Sequence, residues 1–382
     1  MDLPFQPVEY EDRLRRLKEA MERHKLDGLL VTTPENIYYL SGFKTTGFYM
    51  YQALLIPLRA DPVLLPRMIE NTLVGHATWV RHARPYADTE DPIAVTAEAI
   101  EEAGLGEGRI GIEPESILLT VGRYRTLTER LPKATLEMTA GLVEALRLIK
   151  SPQEIAYARQ AAGAATAGIR AGIAAIAPGS TENDVAAAAI GATYRAGSEY
   201  TGSPGYVVTG RRTGLAHTTW ERHPIQRGDP VYLEIGGNIH RYGAALIRTA
   251  SVGVPSDELR RMAQASIDGL AAAIAAIRPG VTSGEVDAAC RGAVKQAGFD
   301  SYFHHRTGYS IGLSFPPGWS EGYIFDLKPG DRRPLQPNMI FHLVPVLLDP
   351  GRFGVGFSET VLVTERGCEV LTGYPREFVQ AS

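Results

Sequence analysis

AAIAPGSTENDVAAAA at residues 174–189 is echoed by AAIRPGVTSGEVDAAC at residues 275–290. Each copy ends an alanine-rich segment in Pro-Gly, passes a threonine, and then opens a second segment with an acid and a valine. Pro-Gly is typical of a helix end, and a threonine followed by an acid is typical of a helix start. Both copies therefore predict a helix, a turn and a second helix. Two copies about a hundred residues apart indicate a duplicated unit with pseudo-twofold symmetry, because a solenoid needs more repeats.

A strand-rich stretch follows each copy, at residues 205–253 and 302–365. The implied core is a curved antiparallel sheet backed by two helix pairs, with a crevice on its open face. The first helix of this domain is predicted to start at Ser151-Pro152-Gln153-Glu154, which offers an N-cap serine, a proline at N1 and an acid in the first turn. We therefore divide the chain into domains of residues 1–145 and 146–382.

The N-terminal domain alternates helical and strand patterns, which predicts an α/β layer with a largely covered sheet. The whole chain is thus assigned to the α+β class. The individual elements are predicted as a helix over 9–26, a strand running into a turn over 27–42, short strands within 51–58 and 61–66, a helix over 91–104, a strand within 109–114 and a helix over 121–132.

Composition narrows the classes of partner. The chain has 382 residues, a net charge of −4 and no cluster of Lys or Arg, so nucleic acid and anionic membranes are not expected partners. Two cysteines, Cys290 and Cys368, provide neither a disulfide framework nor a zinc pattern, which suits a reducing cytoplasm. No signal-peptide pattern and no membrane-spanning apolar run are found. A small-molecule substrate is the expected partner.

Glu234 is the first candidate for chemistry. It is the one acid in the apolar strand of VYLEIGGNIH, residues 231–240, and a buried carboxylate is costly unless it is used or paired. His217 follows a glycine-bearing strand end, and we expect it on a neighbouring strand near the same mouth. A histidine beside a carboxylate is a plausible acid–base pair at neutral pH. A structural histidine at a strand end is the alternative.

Other polar side chains recur on the predicted sheet. His342 is the only ionisable group of its strand, and Glu359 lies among apolar residues on the last strand. Any one of them is explained by a structural ion pair, but several in one sheet favour a shared site. Four more surround the glycines of residues 302–322: His304, His305, Tyr309 and Trp319.

These segments together resemble the pita-bread family, which includes methionine aminopeptidase, aminopeptidase P, prolidase and creatinase. The N-terminal PENIYYLSGF is similar to the arrangement of the last three. The resemblance covers essentially the whole chain, and its motifs in chain order are RLIKSPQEI, the Pro-Gly repeat, LAH, YGAALIRT, HHRTGYSIG, NMIFHLVP and GFSETVLVT.

The resemblance also implies where two metal ions would bind, and this chain departs from that set. The peptidases use Asp, Asp, His, Glu and Glu. Ala and Val carry no donor atom and Tyr is a poor ligand beside two acids, so we expect no metal and no other cofactor. The five matching positions here are Glu234, Ala245, Tyr309, Val344 and Glu359.

Two branches of the family work without the metal pair, creatinase and ectoine hydrolase. GYSIGLSFPPGWSEG and YLEIGG look most like ectoine hydrolase, which implies a hydrolase that opens a C–N bond in a small cyclic amidine or zwitterion. That resemblance implies Glu234 as a nucleophile, although a base or a binding group stays open. Creatinase-like chemistry comes second, and an Xaa-Pro dipeptidase or aminopeptidase, or a non-catalytic binding relative, are the alternatives.

The resemblance assigns provisional roles to the remaining residues. Glu359 would bind the substrate's positive charge or polarise water, and His217 would move the proton. The family arrangement further implies a homodimer in which an aromatic residue of the N-terminal domain, such as Tyr51, closes a neighbouring site. The expected substrate-binding residues are Tyr309, Tyr242, His305, His342, Trp319 and Tyr51.

Overall fold

The computed structural model describes residues 3–381, so the extreme ends of the two predicted domain ranges, residues 1–2 and 382, lie outside it. The chain forms two units, one ending at Arg147 and the other beginning at Leu148. The sequence-based division lies two residues earlier. Within the described residues, every helix is too short or too polar to span a membrane.

The N-terminal unit is built on a six-stranded mixed sheet in the order β4-β3-β2-β1-β5-β6. Proline at N1 begins a helix over Pro34–Ser41, and Gly42 ends it in the left-handed region at φ 74°. The prediction of a strand running into a turn over 27–42 is therefore wrong in its second half, because the strand is followed by a helix. The elements are α1 Pro7–Arg23, β1 Gly28–Val31, α2 Pro34–Ser41, β2 Ala53–Pro57, β3 Val63–Leu65, β4 His82–Ala83, α3 Pro92–Glu102, β5 Arg109–Ile112, α4 Val121–Arg130, β6 Thr135–Met138 and α5 Leu142–Leu148.

The C-terminal unit contains the two predicted helix pairs, α6 Pro152–Ala174 with α7 Glu182–Arg195, and α8 Asp257–Ala276 with α9 Ser283–Gln296. The second helix of each pair begins in the same way. Thr181 and Thr282 each form a capping box with the acid three residues later, which satisfies backbone N–H groups of the first turn. Each of these threonines also forms an isolated bridge to a proline, Pro224 or Pro334. The predicted duplication is confirmed.

Two sheets lie against these helices. One has the order β17-β9-β8-β7, the other has the order β11-β10-β12-β15-β16, and β13 and β14 form a separate hairpin. All pairings are antiparallel except that of β17 with β9. The strands are β7 Tyr206–Thr209, β8 Pro230–Ile239, β9 Tyr242–Val252, β10 Gly308–Ser310, β11 Asp326–Leu327, β12 Ile340–Leu343, β13 Val346–Asp349, β14 Phe353–Gly356, β15 Glu359–Val363, β16 Cys368–Val370 and β17 Val379–Ala381.

Side-chain hydroxyls join the two sheets where β9 passes β15. The Thr360 hydroxyl accepts a hydrogen bond from the Ala245 amide at 3.0 Å and donates one to the Ala245 carbonyl at 2.8 Å. Ser358 Oγ accepts from the Ile247 amide at 2.6 Å. These bonds satisfy buried backbone groups that no strand partner reaches. They hold β9, and with it β8, against β15, and β8 carries the candidate residue Glu234.

Gly237 allows α6 to approach β8. A Cβ at this position would lie 2.3 Å from the Ala161 carbonyl oxygen, whereas one on the exposed Gly163 of α6 would meet nothing within 4 Å. Gly237→Ala should therefore lower the free energy of unfolding by about 1–3 kcal/mol through overpacking. The matched Gly163→Ala should raise it by about 1 kcal/mol, because alanine favours helix. Urea unfolding of both variants measures this, and equal effects would contradict the packing.

Candidate active site

One cavity of about 400 Å³ opens in the C-terminal unit between the two sheets and the loops that follow β7 and β10. Its walls are mainly apolar and aromatic, with a few convergent polar groups, which is the usual composition of a small-molecule site. The aromatic walls and the charged or polar groups that face it are Tyr206, Tyr232, Tyr309, Trp319, Glu234, His217, His304, His305 and Arg306.

Glu234 is the only acid among the residues that line this cavity. Residues two apart on a strand point to the same face, so Tyr232 and Glu234 of β8 lie side by side. The Tyr232 hydroxyl donates a hydrogen bond to Glu234 Oε2 at 2.9 Å. Burial raises the pKa of Glu234 to about 7, and this hydrogen bond opposes the rise. Glu234 thus changes charge near neutral pH.

His217 lines the same cavity, as expected, but it lies on a loop and not on a neighbouring strand. The loop follows a 3₁₀ helix at 210–214, and His217 adopts φ 57°. The buried Glu182 of α7 anchors this segment through an ion pair with Arg212 at 2.6 Å. The His217 ring lies 6.2 Å from the ring of Tyr206 between centroids, exposed at the cavity mouth.

Tyr309 and Trp319 form the wall contributed by β10 and the loop after it. The Trp319 indole donates a hydrogen bond to Tyr309 Oη at 3.0 Å, and the Trp319 ring packs edge-on against Tyr206 at 6.1 Å. Tyr309 Oη also lies 2.8 Å from His342 Nδ1. Both aromatic residues therefore line the cavity that Glu234 faces, and their contact with substrate stays a prediction.

The two predicted histidines have different positions. His305 faces the cavity, and its Nδ1 lies 2.7 Å from the Arg306 carbonyl oxygen. His342 on β12 is fully buried behind Tyr309 and does not line the cavity, so its predicted direct contact with substrate is corrected. Burial lowers the pKa of His305 to about 4 and that of His342 to about 3. Both rings are neutral at pH 7.

Glu359 does not face the cavity, which corrects its predicted role toward the substrate. Its side chain is 1% exposed and pairs with Arg248 at 2.7 Å and with Arg376 at 3.0 Å. The Thr372 hydroxyl also donates to it. The carboxylate is thus saturated by protein donors, and the structural ion pair considered as an alternative is what the structure contains.

Two predicted tyrosines also lie elsewhere. Tyr242 begins β9 and donates a hydrogen bond to Glu154 of α6 at 2.6 Å, away from the cavity lining. Tyr51 is 2% exposed in the core of the N-terminal unit, with its hydroxyl 2.9 Å from that of Thr96. Core packing explains Tyr51, so its predicted role in closing a site is corrected.

The five positions that match metal ligands do not form a metal site. Ala245, Tyr309 and Val344 belong to one buried apolar cluster, and Glu359 is held by two arginines. Within residues 3–381, no group of three or more His, Cys, Asp or Glu side chains is placed to bind a metal ion. A pair of divalent ions needs several carboxylates facing it. These residues do not fit the metal pair.

Among the aromatic and charged residues that line the cavity, Tyr206, Tyr232 and Arg306 were not named in the sequence analysis. The sequence could have indicated Tyr232, because it lies two positions before Glu234 on the same strand and so shares its face. Arg306 forms an ion pair with Asp326 at 2.6 Å and lies 4.9 Å from the centre of the Tyr309 ring. Its guanidinium therefore places a positive charge at that wall of the cavity. The fold brings all three to the cavity that Glu234 faces.

Comparison with known proteins agrees with this architecture. Residues 156–365 match the family model of metallopeptidase family M24, and residues 13–149 match that of the creatinase/prolidase N-terminal domain. The chain is 31% identical to ectoine hydrolase of Halomonas elongata over 99% of this chain and 98% of that protein. It resembles the solved structures of a dipeptidase from Mycobacterium ulcerans and an Xaa-Pro dipeptidase from Bacillus anthracis, each with a TM-score of 0.85. Their identities are 27% and 26%, and the matches cover 98% and 97% of this chain and 98% and 99% of those chains.

Glu234→Gln should change how stability depends on pH. The pKa of Glu234 is about 7 in the folded protein against 4.5 for a glutamate in water, so the folded state binds more protons between these values. Its contribution to stability is complete below pH 4.5 and is lost as pH rises through 7. A tenfold change in proton affinity equals about 1.4 kcal/mol. The free energy of unfolding of the Gln variant, relative to that of the native chain, should therefore rise by a few kcal/mol between pH 4.5 and pH 7. Urea unfolding across this pH range measures it, with the exposed Glu365→Gln as control; parallel curves for Glu234→Gln and the native chain would refute the raised pKa.

Glu359→Gln should destabilise the fold, because it leaves Arg248 buried beside a neutral amide. Breaking a buried pair costs about 3–5 kcal/mol, whereas an exposed pair contributes about 1 kcal/mol or less. The matched control is Glu258→Gln, which breaks the surface pair with Arg352. Chemical unfolding compares the two. A Glu359→Gln variant as stable as Glu258→Gln would restore Glu359 as a candidate for chemistry.

Proposed function

The chain belongs to metallopeptidase family M24, and from this membership we propose that it hydrolyses a C–N bond in a small zwitterion that contains a cyclic amidinium group, without metal ions. The substrate class is that of the relative named ectoine hydrolase. Creatine-like amidines are second. The observation that carries the proposal is a single carboxylate, Glu234, facing an aromatic cavity where the peptidases of the family would bind two cations.

The cavity suits a delocalised cation. Tyr206, Tyr232, Tyr309 and Trp319 present ring surfaces around Glu234, and aromatic faces attract cations by about 0.5–2 kcal/mol each. An amidinium beside Glu234 would lower the pKa of its carboxyl group and hold it ionised. The substrate thus supplies the positive charge that the protein lacks at this point. A neutral peptide bond supplies no such charge.

Arg306 favours a substrate with a negative group as well. Its side chain is 35% exposed, and its guanidinium retains donors beyond those engaged by Asp326. An arginine fork matches a carboxylate in shape and charge. Glu234 and Arg306 therefore make two poles of opposite sign in one small cavity. A zwitterion satisfies both poles, whereas a simple amidine satisfies one.

The chemistry follows from these positions. A Glu234 oxygen bonds to the amidinium carbon, and the π pair of the C=N bond moves to nitrogen. The bond to the second nitrogen breaks as that nitrogen takes a proton from His217, which releases an amine end and leaves an acyl-imidate on Glu234. Water then adds and gives its proton to His217, and collapse yields the amide and free Glu234. One C–N bond is broken per water consumed.

Assembly and location remain predictions from the family resemblance. We propose a cytoplasmic homodimer, in which the N-terminal unit of one copy approaches the other. Tyr49 of the N-terminal unit is 68% exposed and fits such a contact better than the buried Tyr51.

The test is a substrate screen on protein dialysed against chelator, with metal content measured by plasma mass spectrometry. The panel is ectoine, hydroxyectoine, creatine and Xaa-Pro dipeptides, followed by amine release. We expect turnover of a cyclic amidine that chelator leaves unchanged, and a loss of about a thousandfold or more in Glu234→Gln. Glu365→Gln, exposed in the same unit, is the matched control and should retain full activity.

Two outcomes contradict the proposal. Xaa-Pro cleavage that chelator abolishes would identify a metallopeptidase, and a panel without any turnover would favour the binding relative.

A further experiment tests the positive pole at Arg306. Arg306→Gln should raise KM by about tenfold to a hundredfold for the zwitterion and leave KM unchanged for the matching amidine without a carboxylate.

A further inference from the structure

Ser358 determines which ring nitrogen of His342, buried behind the cavity wall, carries the hydrogen. It is fully buried, and its Oγ accepts a hydrogen bond from the Ile247 amide at 2.6 Å. His342 Nε2 lies 2.7 Å from the same Oγ. Among residues 3–381, no other acceptor is within reach of this hydroxyl. A buried donor without an acceptor costs about 1–3 kcal/mol, so the Ser358 hydrogen points to Nε2.

This direction determines the tautomer of His342. Burial lowers the pKa of His342 to about 3, so the ring is neutral and carries one N–H. Because Nε2 accepts from Ser358, the hydrogen is on Nδ1. Nδ1 lies 2.8 Å from Tyr309 Oη and therefore donates to it.

Tyr309 Oη consequently accepts two hydrogen bonds, because the Trp319 indole is a donor only and lies 3.0 Å away. The hydrogen of the Tyr309 hydroxyl must therefore point away from both of these donors. In the described part of the chain, no third group lies within hydrogen-bond distance of this oxygen. Tyr309 lines the cavity that Glu234 faces. The phenol hydrogen is thus left to point into the cavity.

We propose that Ser358, His342 and Trp319 orient the Tyr309 O–H into the cavity, where it donates a hydrogen bond to the substrate nitrogen that gains electrons during attack. The inference rests on the proposed function for the identity of that nitrogen. As an oxygen of Glu234 bonds to the amidinium carbon, the π pair of the C=N bond becomes a lone pair on nitrogen. Tyr309 donates to this lone pair, and no proton leaves the phenol.

Physical chemistry supports a donor in this place. Burial raises the pKa of Tyr309 well above its usual value, so the phenol retains its hydrogen. Two N–H groups on the phenol oxygen polarise the O–H bond and strengthen its donation. Preorganised donors aimed at developing charge are among the largest contributions to catalysis. Tyr309 is then a catalytic residue, and Ser358, His342 and Trp319 are positioning residues.

The tautomer is measured on the free protein by long-range ¹H–¹⁵N correlation with ¹⁵N-histidine labelling. His342 should show a protonated Nδ1 and an unprotonated Nε2, and its signals are assigned by their change in Ser358→Ala. A protonated Nε2 in the native protein would overturn the inference. This measurement uses no substrate, so it decides the direction of the proton even if no amidine is turned over.

The catalytic part is tested by a double-mutant cycle on whichever substrate the screen identifies. Tyr309→Phe should lower kcat by about a hundredfold to a thousandfold, and Ser358→Ala by about fivefold to tenfold with KM unchanged. Ser358→Ala should cost nothing further in the Tyr309→Phe background, since no phenol remains to orient. Multiplying effects would mark Ser358 as merely structural and overturn the relay.

A second variant covers failure to fold. If Ser358→Ala does not fold, Trp319→Phe takes its place in the cycle, because it removes the other N–H donor and keeps an aromatic wall. A correct tautomer together with full activity in Tyr309→Phe would overturn the catalytic role alone. No turnover by the native protein, with the correct tautomer, would instead contradict the proposed function.

Discussion

The buried ion pair between Arg248 and Glu359 keeps one carboxylate away from the cavity that Glu234 faces. Arg248 lies on β9 and Glu359 on β15, so the pair joins the two sheets at 2.7 Å, beside the backbone hydrogen bond from Ser358 to Ile247. It also commits the last carboxylate of the family's ligand pattern to a structural role. Glu234 then faces the cavity as its only acid. Burial raises the pKa of this carboxyl group.

As far as the structure describes the chain, Glu234 has no cation of the protein beside its carboxyl group, so the proposed substrate is one that brings a positive charge. Ala245 and Val344, at positions that match metal ligands by the family resemblance, belong to one buried apolar cluster. Burial makes the ionisation of Glu234 costly. In the proposed reaction, an entering amidinium would compensate that cost on binding, so that the carboxylate becomes charged when its substrate is present. The same coupling would make neutral amides poor substrates, although the fold is that of peptidases.

The sequence was sufficient for the fold because the duplicated helix pairs are local patterns. Thr181 and Thr282 with their acids mark the same helix start twice, and capping is decided within four residues. The position of Glu234 was also found, since a single acid in an apolar strand needs a use. Tyr242, Tyr51 and Glu359 were misplaced because their partners are distant in sequence. Tyr242 meets Glu154, 88 residues away, and Glu359 meets Arg248, 111 residues away. Strand patterns show that a side chain is buried but not which group it meets.

By the family resemblance, Tyr309 stands at the position of a ligand histidine, and here its hydroxyl contacts His342 and Trp319. A metal ion fixes its ligands by coordination and supplies positive charge without help from neighbours. A phenol can supply partial positive charge only if its hydrogen points the right way, and its rotor is otherwise free to turn. Here the indole of Trp319 and the neutral ring of His342 occupy the oxygen's acceptor positions. The buried Ser358 in turn fixes His342. The burial that makes His342 unsuitable as a cation is therefore what makes it suitable as a fixed donor.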